Sequence, residues 1–139
     1  MAQIIIDKDA RDNGLANMIK DLLTQNIASH PQRAKDANAL NGNIIIDAKD
    51  IDVSLTLVCG KGKIQIRDGS IEPYRLKITT ASDNIMKLNM LKIKWGLPYY
   101  FDKAGREVLA MLFNGKLKVN GLVAHPVMLT RITKLFSVM

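Results

Sequence analysis

The sequence predicts an α+β domain in which a five-stranded, mostly antiparallel sheet is covered on one face by helices. Three observations carry the prediction. Between Asn43 and Thr79, short runs alternate apolar and polar residues and are parted by turn residues. Segments on either side repeat apolar residues at helical spacing, and one more alternating run, Phe113 to Gly121, stands alone late in the chain. With 139 residues and 47% hydrophobic content, residues 1–139 read as one domain with a packed core.

No element is assigned before Asn13. The segment that follows places Leu15, Met18, Ile19, Leu22 and Leu23 on one helical face and stops at His30-Pro31. The alanine-rich stretch Gln32–Leu40 gives a short second helix, ended by Asn41-Gly42.

Four strand-like runs come next, at 43–49, 53–59, 63–67 and 74–79. In the second, Val53, Leu55, Leu57 and Cys59 alternate with Ser54 and Thr56; in the third, Ile64 and Ile66 alternate with Lys63, Gln65 and Arg67. Gly60-Lys61-Gly62 and Asp68-Gly69 are turn signals, so the four runs are expected to form an antiparallel meander. One face is then apolar and the other charged, and the apolar face needs a cover.

Helices supply it. Ser82 can cap a helix with Ile85, Met86, Leu88 and Leu91 on its apolar side. Lys92–Phe101 is an irregular aromatic loop, and Asp102 can cap a helix with Val108, Leu109 and Leu112 inward. In the late strand, Lys116 and Lys118 fall opposite Leu117 and Val119. The last helix starts at Pro126, a residue that the first turn tolerates. Met128, Ile132, Leu135, Phe136 and Met139 form its apolar face, with Arg131 and Lys134 outward.

Composition narrows the function classes. Net charge is +7, but the twenty Lys and Arg are scattered, which fits a solvated surface better than a phosphate-tracking stripe. The single cysteine, Cys59, permits neither an internal disulfide nor a thiolate metal cluster. It sits mid-strand without a His–Asp arrangement and reads as a small buried residue. Cys59-Gly60-Lys61-Gly62-Lys63 lacks the phosphate-loop spacing and following helix, so it is a hairpin turn. His30 and His125 each precede a proline near a helix terminus and read as surface or capping residues. Asp47, Asp50 and Asp52 lie on or beside one hairpin and offer no acid–base pair. The expectation is a protein that is not an enzyme and holds no cofactor or metal.

The blocks Leu112–Phe136 and Lys77–Leu88 resemble the sterol carrier protein type 2, or nonspecific lipid-transfer, domain family. That family shows an aromatic residue, then Gly-Lys-hydrophobic-Lys-hydrophobic, Gly and an amphipathic helix. Phe113, Gly115, Lys116, Leu117, Lys118, Val119, Gly121, Met128 and Leu135 match this pattern position by position. The resemblance runs from about Asn43 to the C-terminus, with Leu15–Ser29 at the place of the family's first helix. The aromatic link Met90–Lys103 is longer than the family's.

The resemblance implies a sterol-carrier-protein-like sheet with an apolar tunnel between it and the helices. The tunnel would take a lipid or fatty acyl ligand: a fatty acid, acyl-CoA, sterol-like lipid or quinone. Ligand contacts are expected from Met86, Met90, Leu109, Leu112, Phe113, Leu117 and Val119, and from Met128, Ile132 and Phe136 of the last helix. Trp95 and Phe101 complete the set, since the aromatic stretch with Tyr99 and Tyr100 reads either as a loop folded on its own helices or as a mouth.

Two other functions remain open: a scaffold whose cavity is filled by its own side chains, and, lower, nucleic-acid binding through the basic residues. No aromatic shares the basic strand face for base stacking, so no specific nucleic acid is expected. Transient contact with an anionic membrane surface is the alternative use of that face, formed by Lys63, Arg67, Arg75, Lys77, Lys116 and Lys118. No run is long and apolar enough to span a bilayer, no signal peptide is seen, and Phe136-Ser137-Val138-Met139 is not a Ser-Lys-Leu address. These features give a cytoplasmic expectation.

Overall fold

A computed structural model describes residues 3–87, 93–94, 97–98, 103–121 and 124–136. In chain order the elements are β1 (Gln3–Ile6), a 3-10 turn (Lys8–Ala10), α1 (Gly14–Ser29), α2 (Arg33–Ala39), β2 (Gly42–Ala48), β3 (Val53–Gly60), β4 (Lys63–Asp68) and β5 (Leu76–Thr80). They continue with α3 (Ser82–Lys87), β6 (Ile93–Lys94), β7 (Leu97–Pro98), α4 (Lys103–Phe113), β8 (Leu117–Asn120) and α5 (Pro126–Phe136). The α+β class holds, with a six-stranded mixed sheet in the order β1-β4-β3-β2-β5-β8.

Two features of the sheet differ from expectation. The run at 74–79 does not continue the meander from β4; β5 crosses back and pairs in parallel with β2, Ile44 opposite Leu76 and Ile46 opposite Ile78. The connection Gly69–Arg75 lies across the sheet, anchored by side chains rather than closed as a hairpin. Thr56 Oγ1 donates to Gly69 O at 2.7 Å and accepts from Ile71 N at 2.9 Å. Asn43 Nδ2 donates to Pro73 O at 3.0 Å. Thr56 is fully buried as a result. The second difference is β1, which adds in parallel to β4 with Ile4 opposite Ile64 and Ile6 opposite Ile66. Gln3–Ile6 is nearly all apolar, so period-2 alternation could not reveal it.

Register assigns the faces. Ile44, Ile46 and Ala48 share one side with Leu55, Leu57, Ile64, Ile66, Leu76 and Ile78, all under 5% exposed. The other side carries Asn43, Asp47, Ser54, Lys63, Gln65, Arg67, Lys77 and Lys118. The β3–β4 turn is two residues, Lys61 (φ 52°) and Gly62 (φ 75°), matching the twist that favours primed hairpin turns.

Helices close the apolar side. Asn13 caps α1 by accepting from Ala16 N at 3.1 Å, and its Nδ2 donates to Asp68 Oδ1 at 2.9 Å, pinning the helix start to the end of β4. Leu15, Ile19 and Leu23 are buried, while Met18 and Leu22 pack partly against the core. α5 packs against α1 and α2. Its Met128, Ile132, Leu135 and Phe136 are buried as the apolar stripe requires. Lys134, expected to face out, is instead drawn inward by Asp36 of α2, with Nζ to Oδ1 at 2.8 Å and only 15% of its side chain exposed. The segment expected to be a loop holds a short antiparallel ribbon, with Ile93 opposite Pro98 and Lys94 opposite Leu97, and β7 touches α5.

The late strand joins β5 antiparallel, Ile78 opposite Val119 and Thr80 opposite Leu117. Lys116 and Lys118 are exposed, as alternation requires. The chain leaves the strand at Gly121 (φ 92°), where an added Cβ would collide with Arg75 O. Both the positive φ and the backbone contact forbid a side chain there. Gly121→Ala is expected to lower unfolding free energy by more than about 1 kcal/mol, read as an earlier midpoint in urea; an unchanged midpoint would show that the β5–β8 edge yields freely.

Cys59 is 5% exposed, and burial pushes its thiol up from the usual 9.0 to about 12. The native state therefore keeps the proton where an unfolded chain loses it. This contribution to stability is intact below pH ~9 and is lost as pH rises from there toward about 12. At pH 9, alkylation of native Cys59 by iodoacetamide is expected to run roughly a hundredfold slower than in urea, followed by mass spectrometry; equal rates would mean that the thiol is accessible.

Candidate functional site

The candidate site is the apolar layer between the sheet and helices α3, α4 and α5. Five of the sequence-derived ligand residues meet there. Leu117, Met128, Ile132 and Phe136 belong to one buried cluster, and Val119 packs against it from β8. Ile132 and Phe136 are at most 1% exposed, so they are in full contact with protein. Leu109 on α4 is half-buried. Phe113 departs from the set: at the last residue of α4 it is 88% exposed, because the buried face of that helix runs through Gly105, Val108 and Met111. Met90, Trp95 and Phe101 lie outside the described residues, as do the side chains of Met86 and Leu112.

Met111 and Ile85, at 4% and 1% exposure, belong to the same cluster and were missed as site residues. The three-residue spacing of Gly105, Val108 and Met111 is the signal that could have found Met111.

Polar groups border this layer at one end. Thr80, fully buried on β5, donates from Oγ1 to Lys116 O at 2.7 Å and accepts from Asn84 Nδ2 at 3.2 Å. The network fixes α3 relative to the start of β8. Beside it opens a recess of about 610 Å³ whose lining includes Lys49, Asn84, Glu107, Met111 and Lys116. A second recess of about 790 Å³ lies at the β3–β4 turn, with Ile5, Leu40, Val58, Cys59, Lys61 and Lys63 among its walls. A third, of about 250 Å³, lies at the first turn of α5 between Leu40, Arg75, His125 and Met128. Among the described residues, Met128 is the sequence-derived candidate that reaches these recesses.

The described lining offers apolar surface and hydrogen-bonding side chains. His30 and His125 serve helix ends through their backbones: His30 N donates to Asn26 O at 2.9 Å, and Leu129 N donates to His125 O at 3.1 Å. Among the described residues no group of three or more His, Cys, Asp or Glu is placed to hold a metal ion. No described helix is long and apolar enough to cross a membrane.

Neither a family model nor a curated protein matches the chain. Solved structures do. A UbiJ-SCP2 ubiquinone synthesis protein aligns with TM-score 0.60 at 14% identity, covering 88% of this chain and 91% of its own. A crystal structure of sterol carrier protein 2 aligns with TM-score 0.54 at 13% identity, covering 87% and 92%. A conserved hypothetical protein from Thermus thermophilus, described as possibly a sterol carrier protein, aligns with TM-score 0.50 at 11% identity, covering 99% and 92%. At these identities the likeness speaks for the backbone and not for its ligands. This chain has the fold of the sterol carrier protein 2 domain.

Proposed function

We propose that the chain binds a long-chain apolar ligand in a tunnel between its sheet and its helices, and carries it or presents it to an enzyme. The ligand class is a fatty acid, acyl-CoA, sterol-like lipid or quinone; the last gains support from a neighbour named a ubiquinone synthesis protein. The observation that carries the reading is the shared fold, which puts a single apolar sheet face beneath separate helices. The driving force would be transfer from water: ~0.8 kcal/mol per methylene gives ~12 kcal/mol gross for a sixteen-carbon chain, before the cost of immobilisation. Such a site needs no precise polar contact and would discriminate poorly among ligands.

One observation favours a second reading. Leu117, Ile132 and Phe136 are already packed by protein atoms, which is what a scaffold with a self-filled core requires. Mass spectrometry of an organic extract of the purified protein, with titration of a fluorescent fatty acid, separates the two. The carrier reading expects co-purified lipid and saturable binding, and expects Ile132→Glu to weaken both because it buries a charge in the layer. An extract free of lipid together with absent binding would leave the scaffold.

Delivery would involve transient contact with an anionic bilayer through the polar sheet face. Lys63 and Lys118 are exposed on that face, with Lys61 and Lys116 at its ends, whereas Arg67 is already paired with Asp7 and Asp9. The double variant Lys116→Glu/Lys118→Glu is expected to fold normally, since exposed substitutions cost little, and to lose co-sedimentation with phosphatidylserine vesicles. Retained vesicle binding would remove this face from the contact.

A further inference from the structure

The seam between α2 and α5 holds more buried positive charge than it neutralises. Arg33 opens α2 and is 6% exposed. Its Nε is buried without a hydrogen-bond partner, and no described acceptor bonds its Nη atoms. The carboxylate one turn on, Asp36, is committed to Lys134 at 2.8 Å. Among the described residues, the seam thus holds two cations and one carboxylate that is bonded to only one of them.

The helix arrangement fixes where the unpaired guanidinium sits. Asp36 meets Lys134 near the end of α5, while Ala39 and Leu40 share a recess with Pro126 and Met128 at its start. The helices are therefore antiparallel, and Arg33 lies a turn beyond Lys134, at the C-terminal end of α5. Of the last-turn carbonyls there, Leu135 O accepts from Asn26 Nδ2 at 2.7 Å. A guanidinium is a permanent cation and a fork-shaped donor that suits carboxylate or phosphate oxygens. Arg33 Nε, buried and unbonded, lacks a hydrogen bond that water would otherwise supply.

We infer that Arg33, with Lys134 beside it, binds an anionic group, carboxylate or phosphate, in the α2–α5 seam. The anion is either free in solution or the head group of an acyl ligand, and in the second case the inference rests on the lipid-binding reading. Asp36 orients Lys134 and limits the site to a single small anion.

The test compares wild type with Arg33→Met, which keeps the stem and removes the charge; Arg33→Gln replaces it if that variant does not fold. In the first arm, melting is recorded in chloride and in inorganic phosphate at equal ionic strength. Wild type should melt several degrees higher in phosphate, and the variant should show no such rise while melting in chloride no lower than wild type. In the second arm, dodecanoate, dodecyl phosphate and dodecanol are titrated. Wild type should prefer the charged ligands roughly tenfold, and the variant should not discriminate. A response in the first arm alone assigns the site to a free anion, and in the second alone to a head group. Wild type that binds dodecanol as tightly as dodecanoate and ignores phosphate keeps the apolar site and overturns the anion site. Phosphate protection without binding of any dodecyl compound does the reverse. A variant that answers phosphate or discriminates head groups as wild type does also overturns the inference.

Discussion

The parallel pairing of β2 with β5 is the contact on which the rest of the architecture depends. β2 is held on one side by the antiparallel ladder to β3 and on the other by β5, and Ile44, Ile46 and Ala48 are shielded from solvent. Had β5 returned beside β4, it would have taken the edge that β1 uses. By crossing to β2 it leaves that edge free and carries β8 to the far side. The crossover is long enough because seven or so extended residues reach about 24 Å, more than the three interstrand spacings, roughly 14 Å, that part β4 from β5. Thr56 and Asn43 fix its path by bonding backbone groups that would otherwise lie unpaired over the sheet.

That topology divides the helical layer in two. On the β1–β4–β3 half, α1, α2 and α5 lock together through apolar burial and two buried polar ties, Asn26 to Leu135 and Asp36 to Lys134. On the other half, α4 packs against β8, and the Thr80–Asn84–Lys116 network secures the junction of α3 and β8. The first half is thus cross-linked helix to helix.

Burial of charge at the α2–α5 seam adds a different kind of constraint. Apolar packing is indifferent to the ligand's chemistry, but a guanidinium without an acceptor is not. A molecule that satisfies Arg33 would be recognised by hydrogen-bond geometry, and one that fills the apolar layer by volume and length. The two demands can be met by one amphipathic molecule or by two separate ones.

Much of this was legible in the sequence. Alternation in β3, β4 and β8 determined which side chains face the helices, because the pleat has period 2 whatever the strand pairs with. Helical periodicity likewise selected the buried stripe of α5, and turn chemistry at Lys61-Gly62 set the β3–β4 hairpin. Pairing partners were decided only in three dimensions. The Asp68-Gly69 signal marks the end of a strand but not the direction of return, so the parallel β5 and the nearly all-apolar β1 escaped a reading based on neighbours in sequence. The site shows the same limit. Ile132 and Phe136 were readable from spacing, but Met111 entered the cluster and Phe113 left it according to how α4 rolls on β8. Lys134 reads as a surface residue until α2 brings Asp36 against it. Arg33, whose Nε is buried without a partner, stands one turn from Asp36, and no local pattern records that a distant helix bonds this carboxylate.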